Sequence, residues 1–240
     1  NFKAAKRAAE ELIELDEQGV TSFIVNRDIP EGLDREFCSL SNTLARLSRR
    51  LLGSDISIEQ IETSFYGSLE PYSKWLIVPV VAGISDEFDS TDYGTAMKFL
   101  EEMGIKYINR KTDARKGYEN SITVDLIGSL TPGNLKSVSI RGTVAEGIQM
   151  ISRINEFNKL YFEPKGHNLF FIYEDRPGVT GTIGAKLAEA GINIEDMRNP
   201  HDFNTNKSLA ILKVNRKVEP SVINLISSAI GATTAFCLEL

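Results

Sequence analysis

Apolar positions along the chain switch between two periods, and the switches divide it into blocks. Over 2–18, Ala5, Ala8, Ala9, Leu12, Ile13 and Leu15 recur mostly three and four residues apart, which is one stripe of a helix. Gly19 follows where a left-handed cap costs glycine little. A short extended piece, 22–26, and the turn chemistry of Asp28-Ile29-Pro30-Glu31-Gly32 lead to a second amphipathic helix over about 34–52, with Phe37, Leu40, Leu44, Leu47 and Leu51 on one side. From Ile56 the pattern changes to alternation, ending at Tyr66-Gly67. Helices are expected at 72–83 and 95–103, the latter stopped by Gly104. Strands are expected at 106–111, 121–128 and 135–144, with one further β-rich run over 149–162. This block, about 55–165, reads as α+β with an antiparallel sheet.

The last block is the most regular. Strand 167–173, helix 179–190, strand 192–197, strand 209–214, helix 222–230 and strand 232–240 give the order βαββαβ. Two crossover helices over a four-stranded sheet make the ferredoxin-like arrangement. The fold class expected is therefore α+β with two domains, preceded by a helical linker. The divisions fall at 1–54, 55–165 and 166–240, and the chain shows no internal repeat.

Composition narrows the function. Two hundred and forty residues suit two domains, and 42% apolar with 25% charged residues exclude a disordered chain. Lysine and arginine number 27 against 33 acids, a net charge of −6, which argues against nucleic-acid or anionic-membrane partners. Cys38 and Cys237 form no CxxC, and two histidines cannot build a histidine-rich metal site. The longest apolar run, around 75–81, falls far short of the roughly 20 residues of a membrane span. With no signal-peptide pattern, a cytoplasmic location is expected. The chain opens on Asn1 with a helix already under way, which reads as a piece of a longer chain.

The sharpest local feature is Tyr173-Glu174-Asp175-Arg176-Pro177-Gly178-Val179-Thr180-Gly181, where a buried strand meets a helix through a polar turn. Pro177 fixes φ, Gly178 lets backbone approach closely, and the free N–H groups around Val179 and Thr180 suit a carboxylate. Asp175 is placed to pair with an ammonium group, so together they match a free amino acid. The same residues also read as a simple helix cap, with Asp175 and Pro177 only starting the helix. Gly178, Gly181 and Gly184 lack the G-x-G of a dinucleotide loop, and too few βα units follow for a doubly wound sheet. Gly184 is read instead as letting the helix lie close on the sheet.

Asn193, between core isoleucines, suits a turn or a ligand amide. The βαββαβ order puts Asp175 and Asn193 apart in one chain, whereas a two-fold dimer would join them. Arg141, Arg153, Lys159, Lys165 and His167 form a candidate anion site, with solvated decoration as the plainer reading. No GxSxG, framed carboxylate pair or metal-ligand spacing is present, so no catalytic centre is expected.

Glu174-Asp175-Arg176-Pro177-Gly178, followed by a helix and Gly191-Ile192-Asn193-Ile194, resembles the ACT domain, a βαββαβ module that binds amino acids. Ser64-Phe65-Tyr66-Gly67-Ser68 and Arg141-Gly142-Thr143-Val144 resemble the intervening domain before ACT in long-form D-3-phosphoglycerate dehydrogenases. Residues 1–28, with a helix, a glycine and Val25-Asn26, resemble the end of that enzyme's catalytic part. The resemblance implies a parent that oxidises 3-phosphoglycerate with NAD, and L-serine or a similar amino acid bound at an ACT dimer interface. Effector contacts would be Tyr173, Asp175 and Asn193, with a homodimer or tetramer as the assembly. No cofactor is implied within these 240 residues. The β part of an iron–sulfur L-serine dehydratase shares a similar layout, and a stand-alone amino-acid sensor is a third reading.

Overall fold

The computed structural model describes residues 30–240 except 90, 91, 132 and 133. The helix expected over 2–18 and the extended piece at 22–26 lie outside the described residues. The chain divides into two compact units, Asn1–Leu33 and Asp34–Leu240, and the second carries both sheets.

Helix α1, Arg35–Leu52, starts where the Asp34 carboxylate accepts from the Glu36 N–H. Phe37, Leu40, Leu44, Leu47 and Leu51 are buried as its apolar stripe requires. Its last carbonyls are satisfied by cations: Lys136 Nζ donates to Leu51 and Leu52, and Arg49 donates to Gly53. The sequence pattern groups this helix with the linker 1–54. In the structure it packs on strands of the following block, because its stripe covers their apolar face.

That block is a six-stranded sheet in the order β2-β1-β3-β4-β5-β6, formed by β1 Ser57–Phe65, β2 Lys106–Asn109, β3 Ser121–Ser129, β4 Leu135–Ala145, β5 Ile148–Ile154 and β6 Phe157–Phe162. Helices α2, Ser73–Ile84, and α3, Tyr93–Glu102, connect β1 to β2, which pairs parallel to it. A parallel neighbour needs such a crossover, and the expected all-antiparallel sheet lacks this pairing. The expected single run over 149–162 is a hairpin turning at Asn155, whose φ is 48°. α1 and α2 approach so closely that a Cβ on Gly83 would lie 2.7 Å from the Asn42 carbonyl oxygen.

The second sheet has the order β11-β7-β10-β8, with the short β9 also on β10. Its strands are β7 His167–Glu174, β8 Ile194–Arg198, β9 His201–Asp202, β10 Lys207–Val214 and β11 Thr234–Glu239. Helices α4, Val179–Glu189, and α5, Pro220–Ile230, complete the βαββαβ order. The fold is mixed α+β with two sheets, as the periodicity predicts. Alternation sends Leu169, Phe171, Tyr173, Ala210, Leu212 and Val214 under the two helices, against Val179, Ile183, Leu187 and Ile226. The opposite face buries Phe170, which stacks on Phe236 at 4.9 Å and meets Phe162 of β6 at 6.2 Å.

Candidate functional site

Register places the turn after β7 at one end of the second sheet. Ser208 on β10 pairs with Tyr173, and its hydroxyl donates to the Asp175 carboxylate at 2.7 Å. The Asp175 N–H donates to the Asn206 carbonyl, pinning the turn to the β9–β10 hairpin. Asp175 therefore does not cap α4. The N-cap is Gly178, at φ 90°, and no side chain caps the first turn. A left-handed N-cap is a conformation glycine adopts without the steric cost of a Cβ. No atom of this chain lies within 4 Å of where a Cβ on Gly178 would stand. The same openness surrounds Gly184, so the expected close packing of α4 on the sheet at that residue is not found.

Tyr173 is 1% exposed and belongs to the core beneath α4. Its hydroxyl reaches the rim and donates to Asn199 Oδ1 at 2.7 Å, while Asn199 Nδ2 donates to the Thr180 hydroxyl at 3.3 Å. Burial pushes the Tyr173 phenol above its ordinary range, opposed by the hydrogen bond to Asn199. Tyr173, Asp175, Gly178, Val179 and Thr180 are thus brought together, and Asn199 and Ser208 join them. Sequence reasoning missed both additions. Asn199 precedes Pro200 at a strand end, which marks a turn but not a partner.

Asn193 lies elsewhere. Its N–H donates to Asn215 Oδ1 at 3.0 Å, and the Asn215 N–H donates back to its carbonyl at 3.2 Å. Asn215 follows β10 seven residues after Ser208, so the two ends are roughly 23 Å apart at strand rise. One chain does not bring Asp175 and Asn193 together, as the βαββαβ order predicts.

Of the five anion-site candidates, the structure joins two. Arg141 and Arg153 are directly opposed across β4 and β5, on the sheet face away from the helices. Arg141 lies over the Tyr118 ring at 3.8 Å, and its Nε donates to the Ser152 hydroxyl. Arg153 donates to Ser139 Oγ at 2.7 Å and to the Asn155 carbonyl at 3.0 Å. Arg110 joins them, pairing with Glu62 and with Asp125. Burial, then the adjacent Arg141, lower the Arg153 pKa, so this charge is held against a like neighbour. Three arginines face two carboxylates, leaving one positive charge in surplus. Lys159 lies on the edge strand β6, Lys165 in the following connection, and His167 on β7 of the other sheet. None of these three bonds to either arginine among the described residues.

The turn at 173–184 does not fit a dinucleotide. Its sheet is antiparallel throughout, whereas the dinucleotide fold needs a parallel, doubly wound one. Among the described residues no group of three or more His, Cys, Asp or Glu could hold a metal, and no helix is long and apolar enough to cross a membrane.

No family model matches the chain. It is similar to the D-3-phosphoglycerate dehydrogenase of Mycobacterium leprae, 25% identical over 226 residues, which is 90% of this chain and 40% of that protein. It is 24% identical over 209 residues to the protein of that name from Archaeoglobus fulgidus, 85% of this chain and 38% of that one. The Bacillus subtilis protein of the same name is 25% identical over 140 residues, 58% of this chain and 26% of that protein. The chain is therefore related to D-3-phosphoglycerate dehydrogenases and spans less than half the length of these relatives.

Proposed function

We propose that this chain is the regulatory portion of a D-3-phosphoglycerate dehydrogenase in serine biosynthesis. In this reading 166–240 is an ACT domain that binds L-serine or a similar amino acid, and 55–165 is an intervening domain. Oxidation of 3-phosphoglycerate with NAD belongs to a part of the enzyme outside these 240 residues. The observation that carries the proposal is the start of α4: an uncapped helix N-terminus beside the Asp175 carboxylate. Helix N–H groups take the carboxylate of the amino acid, and Asp175 takes its ammonium group. Tyr173 acts through Asn199, holding that amide at the rim. Asn193 completes the pocket from a second copy, so serine tightens the homodimer by mass action. The relation to named dehydrogenases over 90% of the chain favours this over an iron–sulfur dehydratase subunit or a stand-alone sensor.

The test is calorimetry with L-serine on the chain and on Asp175→Ala and Asn193→Ala, with sedimentation alongside. Binding in the parent chain, weakened in both variants and accompanied by dimer formation, is expected. No heat at millimolar serine overturns the proposal. The opposed Arg141 and Arg153, with their surplus charge, favour a second role as the intervening domain's anion site. Inorganic phosphate should then bind the parent chain more tightly than Arg141→Gln.

A further inference from the structure

A cleft of about 300 Å³ opens where the end of α1, the edge strand β11 and the start of α5 meet. Val218, Ile223 and Phe236 form its apolar floor, each less than 10% exposed. Arg50, Lys217 and His167 stand around it with a single carboxylate, Glu239.

Among the described residues Arg50 has no acid partner. Its guanidinium lies over the face of Phe236, 5.7 Å from the ring centroid, a cation–π contact that orients the group. Neither Arg50 nor Lys217 forms an ion pair among the described residues. The His167 Nδ1 is buried without a hydrogen bond, the Glu239 carboxylate lying 3.8 Å away. Burial and the Glu239 charge raise the half-buried Cys237 thiol, opposed by a backbone hydrogen bond and by Lys217 and Arg50, which line the same cleft.

A second cleft, of about 210 Å³, makes the contrast. There Arg198 pairs with Asp196 at 2.6 Å and Lys213 with Glu163 at 3.4 Å, so its positive charge is already neutralised. Unpaired cations beside a water-poor apolar surface repel one another, and an anion seated between them removes that repulsion.

We propose that the cleft between α1, β11 and α5 binds a small organic anion, its charge taken by Arg50 and Lys217 and its apolar body resting on Val218, Ile223 and Phe236. The cleft volume lies at the lower end of the range for small-molecule pockets. Because α1 packs on the first sheet and β11 on the second, an occupant touches elements of both.

The probe is phenyl phosphate, which carries both a dianion and a ring, titrated calorimetrically into the 240-residue chain at low ionic strength. Beside the phosphate site proposed at Arg141 and Arg153, one further site per chain is expected, weakened about tenfold by Arg50→Gln and by Lys217→Gln, because each removes one of two charges at the rim. Arg141→Gln should leave that affinity unchanged. Inorganic phosphate, lacking the apolar body, should bind more weakly than phenyl phosphate. Peptide mapping after iodoacetamide treatment gives an independent readout: bound phenyl phosphate should slow modification of Cys237 and leave Cys38 unaffected. Absence of binding at millimolar phenyl phosphate, undiminished affinity in the Arg50→Gln/Lys217→Gln double variant, or loss in Arg141→Gln instead overturns the proposal.

Discussion

At the residue scale, the Tyr173 side chain spans a hydrocarbon interior and a polar rim. Its ring is enclosed by the helices, while its hydroxyl fixes Asn199, which in turn donates to Thr180. Tyr173→Phe keeps the ring and removes that anchor. Since Asn199 is exposed and can turn to water, the expected cost is about 1 kcal/mol in urea unfolding. Serine affinity should fall as well. Cys38 makes a second case. Burial, reinforced by Asp34 and opposed by Arg35, pushes its thiol up to about 11. A raised pKa keeps the thiol protonated, so at pH 8 its alkylation should run about two orders of magnitude slower than that of free cysteine. The rate should keep rising with pH and level off only near 11; a plateau near 8.5 contradicts the burial.

At the scale of elements, α1 and α2 touch through Gly83. An alanine there gains helix propensity of about 1 kcal/mol but drives its Cβ to 2.7 Å from a backbone carbonyl oxygen and 2.8 Å from Ala45 Cβ. A backbone oxygen cannot swing aside, and overpacking of this kind costs about 1–3 kcal/mol. Gly83→Ala should therefore lower the melting temperature, measured by circular dichroism. This contact was not legible in the sequence, because glycine in a helical pattern does not announce which neighbour it admits. The stripe of α1 and the alternation of β7 and β10 were legible, since burial of one face writes a period into the chain. The parallel partner of β1 was not: β2 is only four residues long, and its pairing depends on where two intervening helices return the chain. The turn at Asn155 carried a readable signal, an asparagine between two apolar runs.

At the scale of the whole molecule, Phe170 is one apolar point where the second sheet meets the first, touching Phe162 of β6 and Phe236 of its own edge strand. Phe170→Ala should cost about 3–5 kcal/mol. It should also split the calorimetric unfolding into two transitions, one for each sheet; a single transition at lower temperature means the sheets unfold together regardless. The separation of Asp175 from Asn193 was legible from element order alone. The meeting of Arg110 with Arg141 and Arg153 was not, because it needs the register of several strands at once. Strand β10 fixes the separation physically, with Ser208 gripping one half of the proposed pocket and Asn215 the other. A particle with complementary halves at its two extremities has only two ways to associate. Stacked head to tail, copies grow without limit and always leave a lone half at either terminus. Turned to face each other, two copies close at once, no half is left over, and each chain accounts for one ligand.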